Sequence, residues 1–179
     1  MSPALIGFFA LAVVLRVASL VISARNEARL QDAGAQEYGT GNSRLLAAVH
    51  FAFYCAAFLE GLWRRSQVDA WTWRGLALYG FGMLILLYVI RELGDLWSVK
   101  VLLAPDHVLK QSWLFRAVRH PNYYLNVLPE LVGLAMVLKA WLTLLILLPC
   151  YLATLFRRIR IEEEAMRMRF PQYPLNRNV

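Results

Sequence analysis

The sequence predicts an all-α, polytopic integral membrane protein of about five transmembrane helices, closed by a helical hairpin and a tail helix. Three observations carry that reading. Of 179 residues, 59% are hydrophobic and the mean hydropathy is +0.47, too apolar for an ordinary soluble domain. The apolar residues come in blocks, each near the ~20 residues a helix needs to cross a ~30 Å hydrocarbon core. Lys and Arg flank the blocks, so the net charge of +7 fits a membrane face better than a nucleic-acid surface, and no nucleic-acid partner is expected.

The first block, residues 4–22, could pass for a secretory leader. It lacks a positive n-region, Arg16 interrupts it, and no small-x-small cleavage site follows, so it reads as a retained span. The loop "RNEARLQDAGAQEYGTGNSR" starts helical and turns at Gly39 and Gly41. Residues 45–63 form a second span, with His50 and Glu60 as interhelical polar contacts or the lining of a pocket. Residues 73–90 form a third, ended at the water boundary by Arg91, Glu92 and Asp95. His107 reads as a loop residue. The region 123–156 is too long for one span; Lys139, Ala140 and Trp141 divide it into a tight hairpin. "RRIRIEEEAMRMRF" should carry the last helix out of the membrane, with no breaker until Pro171.

With five spans, one side carries Arg64, Arg65, Arg74 and Lys139. The other carries Arg25, Arg29, Arg44, Lys100, Lys110, Arg116, Arg119 and the tail arginines from Arg157 to Arg177. The heavier side marks the cytoplasm, which puts the N-terminus outside and the C-terminus inside, in a bacterial inner membrane. Trp63, Trp71, Trp73, Trp97 and Trp113 read as interface anchors. Cys55 and Cys150 lie in apolar runs with no metal spacing, so they read as small buried hydrophobes, and no metal is expected. The chain reads as one domain, 1–179, with helices and loops over 1–118 and the polar motifs over 119–179.

Polar residues in and beside the last two helices are the candidates for chemistry. In "RHPNYYLNVLPE", Pro121 suits a first helical position, where its missing N–H costs nothing. Arg119 and His120 are then either basic residues of a membrane face or, with the free helix-start N–H groups, a site for a carboxylate. Glu130, about two turns into its helix, needs a cavity or a partner such as Arg91 or Arg16. Glu162, Glu163 and Glu164 are either a solvated face with pairs such as Glu163–Arg167, or carboxylates placed for a cationic ligand. No Walker loop, GxGxxG, HExxH or GxSxG is present, which excludes a soluble nucleotide fold. A transporter would need polar residues through several spans or an inverted repeat, and neither is found. A structural membrane subunit would let Arg119, His120 and Glu163 vary freely.

"RHPNY", a hydrophobic hairpin, then "RIRIEEEAM" and "FPQY" together resemble the signature of the isoprenylcysteine carboxyl methyltransferase family. Glu162 and Glu163 take the paired-glutamate positions; Met166 stands where Leu is usual and Pro171 where Gly follows the Phe. The N-terminal "RNEARLQDAGAQEYG" and "AVHFAFY", with Glu130, resemble a compact bacterial branch, some of whose members methylate a hydroxyl of long-chain polyketide pyrones. The resemblance implies a membrane enzyme that uses S-adenosylmethionine. His120, Pro121 and Tyr123 would contact this cofactor from one side and Glu162 or Glu163 from the other. It further implies that Arg119 orients the acceptor oxygen or the glutamates. The acceptor would be a lipophilic small molecule, such as a prenylcysteine or long-chain polyketide, entering from the membrane lipids. A carboxylate or acidic enol would need no strong base; a plain phenol would, with Glu130 or His120 as candidates. The catalytic candidates are therefore Arg119, Glu163 and Glu130. N-methylation of a phospholipid head group, as in related enzymes with a similar tail, is the alternative reaction.

Overall fold

A computed structural model describes residues 1–103 and 113–169. His107, Lys110, Phe170, Pro171, Tyr173 and Arg177 lie outside the described residues. In chain order the structure comprises α1 (Pro3–Asp32), β1 (Gln36–Tyr38), α2 (Thr40–Trp63), α3 (Ala70–Leu93), β2 (Val101–Leu103), α4 (Trp113–Ala117), a π-helical segment (Asn122–Val127), α5 (Leu128–Leu138) and α6 (Trp141–Arg169). The chain is an all-α polytopic membrane protein. Helices α1, α2, α3 and α6 are each long and apolar enough to cross a bilayer. The π segment and α5 form one rod over 122–138, at the short end of what can span.

The helices turn large apolar side chains outward and small or polar ones inward. On α1, Leu11, Val14, Val17 and Leu20 are exposed, while Ala12, Ser19, Ser23 and Asn26 are buried. Lipid is as apolar as Leu, so helices here associate by close packing and interhelical hydrogen bonds. The α3–α5 contact shows this most clearly. A Cβ at Gly133 would lie 2.6 Å from the Tyr79 amide nitrogen, one at Gly75 would lie 2.8 Å from the Gly133 carbonyl oxygen, and one at Gly82 would lie 2.9 Å from the Asn126 carbonyl oxygen. Only glycine permits those approaches, and they fix α5 and the π segment against α3.

At one end the hairpin is locked by charge. Lys139 closes α5 in the left-handed conformation (φ 59°), and its Nζ reaches Asp69, whose side chain also caps α3 by accepting from the Trp71 and Thr72 amides. Glu60 of α2 accepts from the amides of Leu142 and Thr143 at 3.0 and 2.8 Å, capping the start of α6. The hairpin break thus falls where Lys139–Trp141 predicts it, and Glu60 is an interhelical contact.

Several expectations need correction. The first loop starts helical as expected, because α1 runs on to Asp32, and Gly39 turns at φ 66°, but Gly41 lies inside α2 and makes no turn. An antiparallel strand pair, β1–β2, joins the first loop to the segment after α3, with Glu37 opposite Leu102. Three-residue strands are too short to leave a period-2 signal. Trp97 is a core residue at 2% exposure, packed with Leu86, Val89 and Leu114, whereas Trp63, Trp71, Trp73 and Trp113 are exposed as expected of anchors. Cys150 faces outward on α6, and Cys55 is half-buried; a thiol is apolar enough to face lipid.

Candidate active site

At the end opposite the Lys139 turn, the start of the π segment meets the exit of α6. Pro121 opens the helix with φ −62°, is itself buried, and aims the preceding Arg119 and His120 at α6. The amides of Tyr123 and Tyr124 both donate to the His120 carbonyl, so these two N–H groups are not open to an anion as the sequence led one to expect. What this helix start presents toward α6 is therefore its side chains. The π turn widens the helix locally, a feature that recurs at functional sites.

Polar contacts join the two segments. Arg119 Nη1 donates to Glu163 Oε1 at 3.1 Å. His120 lies between the carboxylates, its Nδ1 3.5 Å from Glu162 and its Nε2 3.5 Å from Glu163. Tyr123 donates its hydroxyl to Glu162 at 2.6 Å, and its ring stacks on His120 at 5.6 Å. Glu163 also meets Arg167 at 3.5 Å, the i,i+4 pair read from the sequence. The His120 side chain is 4% exposed, and Glu162 and Glu163 keep 31% and 20% of theirs. Burial pulls the His120 pKa down, but Glu162 and Glu163 overcome it, and the net shift is upward.

Arg158 is the site residue that sequence reasoning missed. It is 2% exposed; its guanidinium donates to the Tyr123 hydroxyl at 3.2 Å, to Ser43 Oγ of α2 at 2.5 Å and to the Val99 carbonyl at 2.5 Å. One side chain therefore ties α6 to α2, to the residues before β2 and to Tyr123. The strand pair backs the same wall: Tyr38, Val101 and Leu103 pack on Ala165 and Met166, and Gly39 lies against Ile161.

Arg119, His120, Pro121, Tyr123, Glu162 and Glu163 are thus brought together. Glu130 is not. It is fully buried between helices, bonded by Nε (3.0 Å) and Nη2 of the Arg16 guanidinium and by the Tyr54 hydroxyl at 2.5 Å. Of the two partners weighed for it, Arg16 is the one that reaches.

The model of the isoprenylcysteine carboxyl methyltransferase family matches residues 75–168, just over half the chain and all of this site. The chain belongs to that family. It is a membrane methyltransferase. It is 44% identical over 164 residues to an uncharacterized protein of Haemophilus influenzae, covering 92% of this chain and 95% of that one. It is 27% identical over 158 residues to the uncharacterized protein YpbQ of Bacillus subtilis, covering 88% and 93%. No solved structure matches.

Proposed function

We propose that this methyltransferase uses S-adenosylmethionine to methylate an oxygen, carboxylate or acidic hydroxyl, of a lipophilic small molecule drawn from the bilayer. The observation that carries the reading is the cluster of Arg119, His120 and Tyr123 against Glu162 and Glu163. Its donor set fits the cofactor's chemistry. The donor's amino-acid end is dipolar, with a carboxylate for Arg119 and His120 and an ammonium for Glu162 or Glu163. When bound, the cofactor supplies an activated methyl on a sulfonium. Pro121 holds the backbone turn that presents His120, and Tyr123 fixes Glu162.

The chain's own contribution is positioning and exclusion of water, because methyl displacement needs the acceptor oxygen in line at near-contact distance. Arg119 orients the acceptor oxygen or Glu163. Glu130, set deeper between the helices, belongs on the acceptor side. The basic flanks of α1, α4 and α6 support a cytoplasmic face for the site, with the N-terminus outside. The residues fall in one domain, 1–179, with the motif region beginning at Arg119.

The test is transfer itself. The purified chain is incubated with methyl-labelled S-adenosylmethionine and a lipid extract of its host, and labelled product is identified by mass. A lipophilic product whose label sits on oxygen, released by alkali from an ester or retained in an ether, supports the proposal. Label on a head-group nitrogen, or none above a His120→Ala control, overturns it.

A further inference from the structure

A second polar cluster lies deeper between the helices and is not needed to hold the first. Glu130 and Arg16 satisfy one another, and Tyr54 adds a third bond. Around them stand groups the ion pair does not use. His50 stacks on Tyr54 at 5.1 Å and meets the Tyr151 ring edge at 5.7 Å, but its Nε2 is 3.6 Å from Glu130 and accepts or donates no hydrogen bond. Tyr79 is 5% exposed, and its buried hydroxyl too makes no hydrogen bond of normal geometry. A buried hydroxyl without a partner loses its hydration uncompensated, and Phe would fill the same space without that cost. Ionisable side chains at membrane depth by default mark a functional site.

We infer that Arg16, His50, Tyr54, Tyr79 and Glu130 form a binding site for the polar end of a lipophile bearing neutral, hydrogen-bonding oxygen: an undissociated hydroxyl or a carbonyl, not a carboxylate. The charge balance sets the class. Arg16 and Glu130 cancel, His50 and the tyrosines add donors and acceptors without charge, and an entering carboxylate would meet Glu130 with no cation to itself. Arg16 and His50 keep 17% and 15% of their side-chain surface accessible, so the cluster can be reached. Tyr123, at the inner edge of the site above, precedes Glu130 by seven residues, roughly 10 Å of helix. Arg158 stands at the same interval from Tyr151 on α6. The two sites therefore lie in sequence along the same pair of helices, with the deeper one on the bilayer side. That the occupant is the methyl acceptor rests on the proposed function; that the site binds such a molecule does not.

Native mass spectrometry of the full chain released from detergent micelles tests this, with 4-dodecylphenol as the probe and dodecanoate as the carboxylate control. The expected result is one saturable phenol per chain, at least tenfold weaker binding of dodecanoate, and at least fivefold weaker phenol binding in Tyr79→Phe. If Tyr79 were only structural, that variant would be as stable as the parent or more so, and its binding unchanged. Equal binding of the two probes, no saturable phenol binding, or phenol binding untouched by Tyr79→Phe overturns the inference. S-adenosylmethionine titrated into the same samples separates the two claims: donor binding without phenol binding removes this site and leaves the proposed function standing. Phenol binding without donor binding does the reverse.

Discussion

Replacing Glu130 with Leu leaves the Arg16 guanidinium and the Tyr54 hydroxyl without their shared acceptor. Removing one partner of a buried ion pair costs about 3–5 kcal/mol. An unpaired Arg near the centre of a membrane helix costs about 2.5–3.5 kcal/mol by insertion scales. The two routes overlap near 3 kcal/mol, and Arg16, 17% exposed, can partly reach polar surroundings, which favours the lower end. Arg16→Met is expected to cost less, since a stranded carboxyl can take up a proton and donate it onward, whereas a guanidinium cannot shed one. The double variant Arg16→Met/Glu130→Leu strands neither charge and should recover at least half of the Glu130→Leu loss. Unfolding by SDS titration in mixed micelles, followed by tryptophan fluorescence, gives all three values. A Glu130→Leu cost under 1 kcal/mol, or a double variant as unstable as the sum of its parents, would refute the pairing.

Two further outcomes follow from the packing and the site. Gly133→Leu must drive α3 and α5 apart, because its Cβ meets backbone atoms of Tyr79 and Gly75, and should cost about 1–3 kcal/mol or more in the same titration. Gly80→Ala, with nothing within 4 Å, should change stability by no more than about 0.5 kcal/mol. For His120 the folded-state pKa is raised, so its stabilisation is full below the ordinary histidine range and is lost as pH rises through the higher folded value. The thermal midpoint of the native chain should therefore fall toward that of His120→Gln between pH 6 and pH 9; a difference that stays constant or grows with pH would contradict the placement of His120 between Glu162 and Glu163.

How far the structure is legible in the sequence depends on the length of each signal. The long spans follow from block hydropathy, and the α5–α6 break follows from Lys139 in the middle of an apolar run too long for one span. The π segment leaves no such trace, since one widened turn barely alters an apolar pattern. Arg158 hides in a run with Arg157 and Arg160, which composition assigns together to a basic face. Its phase was available: Tyr151, Leu155, Arg158, Glu162 and Ala165 recur at alternating steps of four and three, one stripe of α6. The sequence also narrowed Glu130 to a few partners, but choosing Arg16 requires knowing which helices are neighbours. His120, Glu162 and Glu163 are more than forty residues apart at their extremes, and only the motif spacing links them before the fold does.

Calorimetric titration of S-adenosylmethionine into the detergent-solubilised chain bears most directly on whether the start of the π segment and the exit of α6 together hold a methyl donor. Saturable binding to one site per chain is predicted, weakened at least tenfold by His120→Ala and by Glu162→Gln but unaffected by Gly80→Ala. Undetectable binding by protein that remains folded, or binding indifferent to His120 and Glu162, would contradict it.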